Sequence, residues 1–267
     1  MVTRMKDSRQ IWYDPEAKVS VAACDVVSAA QALANGHIAG PVAAHYLAKA
    51  LALVSLLGAE ADGDGETVSI QMKCSGPLGG WNVEYSAGGF LRGYTEKKIL
   101  DDFDGLGRFT DAKVLGETRM HVVLMRGGRI LSEAVAVSPD EYLAVSLQRK
   151  ARVFLEAEVG DDVRVGVARG VLVEALPDSS WEFPAKPLKG LSRSPRTLLA
   201  ELGLKHAELK SETPLAFRCT CSPERAKAML SAFSPEEMAG LPDEIAITCH
   251  MCGKTYTIQR NNADERP

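Results

Sequence analysis

Between Phe217 and Ile258 the chain reads FRCTCSPERAKAMLSAFSPEEMAGLPDEIAITCHMCGKTYTI, which gathers four of its six cysteines into two tight pairs. Cys219-Thr220-Cys221 and Cys249-His250-Met251-Cys252 stand apart by the 27 residues from Ser222 to Thr248. A segment of this length has too small an apolar core to fold alone and needs a metal, a disulfide or a docking surface. In a reducing compartment, close cysteine pairs serve as metal ligands or transient redox groups more often than as permanent staples. Four thiolates suit tetrahedral zinc, which supplies roughly 10–16 kcal/mol of binding free energy in comparable small modules. The pattern therefore predicts one zinc ion per chain on Cys219, Cys221, Cys249 and Cys252. A redox reading stands beside the structural one. A bridge between Cys219 and Cys221 forms only with strain, because alpha carbons two residues apart lie near the outer limit for a disulfide, and strained bridges are readily reduced.

The sequence between the pairs is built to bring them together. Ser222-Pro223 caps a helix whose apolar face is Ala226, Met229, Leu230 and Phe233. Ser234-Pro235-Glu236-Glu237 is a capping box leading to Met238 and Leu241. Ile245 and Ile247 alternate into Cys249, and Gly253 gives a permissive backbone before a strand from Thr255 to Ile258. This bounds a small C-terminal module at 216–260, followed by a tail at 261–267.

Upstream, 267 residues at 46% hydrophobic content suffice for one large domain besides the appendage. Asp25 reads as the N-cap of a helix through Val26, Val27, Ala30 and Leu33 that stops at Asn35-Gly36. Gly40-Pro41 starts a second helix, apolar on most sides from Val42 to Leu57, expected to lie inside the domain under a sheet. Period-two alternation at Val68, Ile70, Met72 and Cys74 opens a meander, turned by GPLGG into Trp81, Val83 and Tyr85 and again by Ala87-Gly88-Gly89 toward Arg92-Gly93-Tyr94. Met120, Val122 and Leu124 precede a hairpin at Gly127-Gly128 that returns through Ile130. Ser138-Pro139-Asp140-Glu141 caps a helix through Tyr142, Leu143 and Leu147, and strands at Val153–Val159 and Val163–Val173 close the domain. The class is α+β: a large N-terminal domain, 1–176, with a mostly antiparallel sheet covering buried helices. A helical linker, 177–215, follows. Five of the thirteen prolines fall in it, and Pro195 opens a short helix whose Leu198, Leu199 and Leu202 need a surface, as do Leu188 and Leu191.

A formal charge of -4 gives no positive field for nucleic acid or an anionic membrane. Nor does the module, where Arg218, Arg225, Lys227, Lys254 and Arg260 balance Glu224, Glu236, Glu237, Asp243 and Glu244. MVTRMKDSRQIWYDPEA has no signal-peptide pattern, so a cytoplasmic location is expected. The apolar run Ala43–Ala59 is short for a bilayer and carries His45 and Lys49. Cys24 and Cys74 read as core residues and His250 as an exposed knuckle tip. With His37, His45, His121 and His206 scattered and no nucleophile motif, no catalytic residue is assigned and the chain is not read as an enzyme. Arg92, Arg126 and Arg129 fit either a binding surface or hairpin solubility.

CTCSPER, the CHMCGKTY knuckle, GPLGG and LRGY at Leu91–Tyr94 together make the sequence similar to the heat-shock protein thirty-three family of redox-regulated holdase chaperones, over essentially the whole chain. It departs from the family at Ser146-Leu147-Gln148, where a Ser-Glu-Gln element is usual, and in a shorter linker. The resemblance implies that all four cysteines hold zinc in a reduced, inactive form. On oxidation it implies that Cys219 pairs with Cys221 and Cys249 with Cys252, zinc leaves, the linker unfolds, and unfolding client proteins are bound without ATP, with homodimer formation. The alternative is a zinc-ribbon interaction or nucleic-acid-binding protein in which zinc is only structural.

Overall fold

The two longest helices occupy the space between two sheets. In the computed structural model, which describes residues 7–61, 63–106, 109–183, 188, 190–191 and 194–260, the first sheet comprises β1 (Ser8–Asp14), β2 (Val19–Asp25), β8 (Lys150–Val159), β9 (Val165–Ala175) and β10 (Glu208–Pro214) in the order β10-β1-β2-β9-β8. The second comprises β3 (Glu66–Cys74), β4 (Gly80–Ser86), β5 (Phe90–Thr95), β6 (Thr118–Arg126), β7 (Arg129–Ala136) and β11 (Ala216–Phe217) in the order β11-β5-β4-β3-β6-β7. Helix α2 (Pro41–Leu57) packs on β8 and β9 from one side and on β4 and β5 from the other, with α1 (Val27–His37) beside it. The longest apolar stretch is thus enclosed by protein: its membrane-length window is 83% buried in the fold. All strand pairs are antiparallel except β11 on β5, as expected for a mostly antiparallel meander joined by short turns. Short helical turns α3 (Asp111–Val114) and α4 (Pro139–Glu141) lie between strands; α4 continues as a π turn over Tyr142–Ser146, with the Ser138 side chain accepting from the Glu141 amide.

Two strands give no sequence signal, and two local expectations change. Strands β1 and β2 occupy a stretch whose alternation is masked because Val19, Val21, Ala22, Ala23 and Cys24 are all buried, so no polar face marks the period. Helix α1 takes its N-terminal cap from outside its own sequence neighbourhood: the Asp7 carboxylate accepts from the amides of Ser28 (2.9 Å) and Ala29 (2.7 Å). Asp25 contributes a single longer contact to the Val27 amide and ion-pairs with Arg169 at 2.7 Å. Helix α1 also runs through Asn35-Gly36, and the left-handed residue that ends it is Ile38, at φ 53°. Gly36 therefore serves something other than a turn.

The segment 177–215 is only partly helical. Helix α5 (Pro195–Glu201), capped by Ser194, turns Leu198 and Leu199 onto the outer face of the first sheet, where with Leu191, Leu202 and Leu204 they cover Trp12, Val19, Val21, Val171 and Val173. Leu188 packs at the edge of this layer, and the Trp181 indole donates to the Leu202 carbonyl at 3.0 Å. Strand β10 then pairs along β1 through a bulge at Ile11/Trp12, with most of its side chains exposed. Hydrogen bonds to the neighbouring edge, more than burial, hold this half of the linker. The tail at 261–267 lies outside the described residues.

Candidate metal centre

In the C-terminal module, α6 (Pro223–Leu230) and α7 (Pro235–Ala239) start at Ser222 and Ser234 as expected, the second through a complete capping box with Glu237. They pack on a hairpin of β12 (Glu244–Thr248) and β13 (Thr255–Gln259). Ala226, Leu230 and Ile258 are buried together, with Met238, Ile245, Ile247 and Tyr256 around them. Among the described residues that is the module's apolar core, and it is smaller than the periodicity implies: Met229 and Phe233 are 64% and 46% exposed. Eight helical residues show only two buried positions because the hairpin covers a single narrow stripe of α6.

Cys219 and Cys221 follow β11 in extended loop, while Cys249 and Cys252 form the β12–β13 knuckle, where the amides of Cys252 and Gly253 both reach back to the Cys249 carbonyl. The four sulfurs converge so that all lie within 4.8 Å of one another, with Cys219 Sγ 3.8 Å from Cys249 Sγ and Cys221 Sγ 3.5 Å from Cys252 Sγ. Tetrahedral zinc with Zn–S bonds of about 2.3 Å requires sulfurs roughly 3.8 Å apart, so the donor set fits that ion in number, chemistry and spacing. The Tyr256 hydroxyl lies 3.1 Å from the Cys221 carbonyl oxygen and 3.2 Å from Cys221 Sγ, donating across from the hairpin to the first pair. Burial raises the Cys221 pKa, but hydrogen bonds from Tyr256 and the neighbouring cysteines outweigh it and bring the thiol down to about 7. Burial pushes the Cys249 and Cys252 thiols up.

The module is seated on the large domain by backbone as much as by side chains. A Cβ on Gly36 would stand 2.6 Å from the Cys252 carbonyl oxygen, and one on Gly253, whose φ is +74°, would collide with the Gly36 carbonyl. The last turn of α1 and the knuckle thus touch through two glycines, which is what Gly36 is for. The Gly93 amide donates to the Met251 carbonyl at 3.0 Å, and buried His37 contacts the Gly93 carbonyl through Nε2 at 2.9 Å. Arg92 grips Glu84 with Nε and Nη2, each at 2.9 Å, and extends Nη1 to Thr220 Oγ1 at 3.1 Å. Tyr94 meets the exposed His250 ring edge-on at 5.6 Å, and Arg218 lies over Phe90 at 4.6 Å. So LRGY is the seat of the cysteine module.

The other candidates separate from it. Cys24 is buried with its thiol on the Ala52 carbonyl, and burial pushes its pKa up to about 12; Cys74 is half-buried in β3. His45 stacks edge-on against Phe109, His121 faces Glu133 and His206 faces Glu16, all remote from the sulfurs. Arg126 pairs with Glu66. Among the described residues, the four cysteines are the one cluster of metal-ligating side chains.

A family model described as Hsp33 protein matches residues 7–259. The chain belongs to the Hsp33 family. Curated relatives carry the name 33 kDa chaperonin: that of Lactiplantibacillus plantarum is 28% identical, aligned over 92% of this chain and 90% of its own length, and that of Bacillus cytotoxicus 25% identical over 97% of each. The Thermus thermophilus relative is 28% identical, with 72% of this chain aligned to 66% of its length. The structure of the 33 kDa chaperonin, heat shock protein 33 homologue, from Thermotoga maritima superposes with a TM-score of 0.85, covering 98% of this chain and 97% of that one at 19% identity. An Hsp33 chain is thus a chaperone-family protein with a four-cysteine cluster at its C-terminal end.

Arg92 is the residue of this seat that the sequence left undecided. Arg92→Ala removes the link from Glu84 to Thr220 while leaving all four thiols. Full zinc content with faster proteolysis between the module and the large domain is the expected result, read by metal analysis and limited digestion. The loss is about 1–3 kcal/mol of docking free energy, typical of a charge-assisted contact.

Proposed function

We propose that this Hsp33-family chain is a redox-regulated, ATP-independent holdase working in a reducing, cytoplasmic setting. The observation that carries the reading is the convergence of four thiols at the seam between module, α1 and β5, with the linker strapped across the opposite sheet. In the reduced form Cys219, Cys221, Cys249 and Cys252 hold one zinc ion, which supplies the clamp that the small core of the module lacks. Oxidation joins Cys219 to Cys221 and Cys249 to Cys252. Each bond takes two electrons from a thiol pair, reducing a peroxide to water or hypochlorite to chloride, and the ligands for zinc are consumed.

The consequence runs along the chain. Without its clamp the module loses the Gly36–Cys252 and Arg92–Thr220 contacts, and β11 loses its hold on β5. Strand β10 and helix α5 are then tethered at one end only. Helices this short are not stable unless packed, so the strap melts. Its release uncovers Trp12, Val19, Val21, Val171 and Val173 and frees the linker leucines, an apolar surface for unfolding polypeptides and for pairing of oxidised chains.

The test is light scattering of a thermally unfolding client with zinc-loaded reduced protein and with peroxide-treated protein. Suppression by the oxidised form alone is expected. Equal suppression by both forms would remove redox control from the account.

A further inference from the structure

Tyr256 belongs at once to the module's apolar core and to its sulfur cluster. Its place in β13, opposite Ile247, packs the ring beside Ala226, Leu230 and Ile258, and the Lys254 ammonium lies over it at 5.0 Å. Packing of this kind locks the rotamer, so the aim of the hydroxyl is fixed. That hydroxyl lies 3.1 Å from the Cys221 carbonyl oxygen and 3.2 Å from Cys221 Sγ. The preceding carbonyl is held as well: Arg225 Nη1 donates to the Thr220 carbonyl at 2.9 Å and to Thr220 Oγ1 at 2.8 Å. The loop of the first cysteine pair is thus pinned at two successive carbonyls. The second pair differs. Its knuckle is closed by its own backbone, and the Cys249 and Cys252 sulfurs meet those of Cys219 and Cys221 with no such hydroxyl on them among the described residues.

We propose that Tyr256 is a positioning residue of the redox centre, whose hydroxyl slows closure of the bridge between Cys219 and Cys221. The role rests on the zinc and redox reading of the four cysteines and adds what sets the rate at one pair. Two physical effects act through the one hydroxyl. A hydrogen bond accepted by a thiolate draws electron density from the sulfur and leaves less of it for an oxidant. The bond to the carbonyl opposes backbone movement, and cysteines two residues apart must move, because their alpha carbons lie near the outer limit for a disulfide. In the reaction itself, a peroxide oxygen bonds to one thiolate as the O–O bond breaks, giving a sulfenic acid and hydroxide. The second thiolate then forms the S–S bond and displaces hydroxide from the sulfenic sulfur. The pair gives up two electrons, and two protons from solvent convert the hydroxides to water. Tyr256 keeps its proton throughout and acts only through the sulfur and carbonyl it touches.

The experiment compares full-length wild type with Tyr256→Phe and with Arg260→Ala. The second variant removes bonds to the Ala239 and Leu241 carbonyls and the ion pair with Asp243, loosening the same module without touching a sulfur. Each protein is zinc-loaded under reductant and treated with peroxide, and timed differential alkylation with mass spectrometry follows the two cysteine pairs separately. Cobalt-loaded samples report the thiolate-to-metal charge-transfer band. Tyr256→Phe should keep stoichiometric zinc under reductant, shift the cobalt band to longer wavelength and close the Cys219 to Cys221 bridge about tenfold faster, with a smaller change at Cys249 and Cys252. An unchanged closing rate overturns the role, as does an unshifted cobalt band. Equal acceleration at both pairs, or the same acceleration in Arg260→Ala, also overturns it, since a loosened module then accounts for the rate. Loss of zinc from Tyr256→Phe under reductant overturns it too, the hydroxyl then being needed to retain the metal. A wild type that binds neither zinc nor cobalt, or that forms no bridge between Cys219 and Cys221 with peroxide, is the separate failure of the redox reading, and the role of Tyr256 falls with it.

Discussion

Cys249→Ser should strip the metal and unfold the module while leaving the large domain folded. The core around Ala226, Leu230 and Ile258 is too small to stand alone, and the missing ligand forfeits much of the roughly 10–16 kcal/mol that structural zinc contributes in comparable modules. The large domain keeps α2 enclosed between its sheets, so its cooperative unfolding should change little. Metal analysis with amide exchange reads both halves of the prediction: protection lost across 216–260 and retained across α2, β3 and β9. Stoichiometric zinc in the variant would assign the site to other residues.

The second large effect has a sign opposite to the usual one. Glycine to alanine inside a helix normally stabilises by about 0.5–1 kcal/mol. At Gly36, which lies in α1 at no positive φ, the added methyl would sit 2.6 Å from the Cys252 carbonyl oxygen. Gly36→Ala should therefore weaken seating of the module by about 1–3 kcal/mol, the typical cost of overpacking a contact, with helix α1 itself intact. All four thiols remain, so zinc stays bound while the linker becomes protease-sensitive under reductant. Stabilisation of the whole protein by this substitution would mean that the two glycines do not form the joint.

The four-cysteine cluster was legible because its paired spacing is a local property of the sequence, and the serine caps at Ser222 and Ser234 were legible for the same reason. The seat was not. Gly36 and Gly253 are 217 positions apart and meet only in three dimensions, and the same glycine in Asn35-Gly36 is an equally good helix stop. Arg92 drew notice without a partner, because Thr220 gives no sign of its role. Asp7 as the cap of α1 shares that difficulty, lying twenty-one residues from the amide it serves. Strand β10 was read as linker because Glu208–Pro214 is polar on both faces, and only the free edge of β1 makes it a strand. Exposure of Met229 and Phe233 is the converse case: helical periodicity marks which residues share a face, and the width of the partner decides how many are covered.

The coupling between clamp and strap is the centre of this account, and one time course addresses it. Zinc-loaded protein is treated with peroxide at mild heat, zinc release is followed with a metallochromic dye, and samples are digested in parallel to follow cleavage within 177–215. Both signals should rise together, and reductant with zinc should restore protection of the linker. Complete zinc release with the segment from α5 to β10 still protected would contradict it.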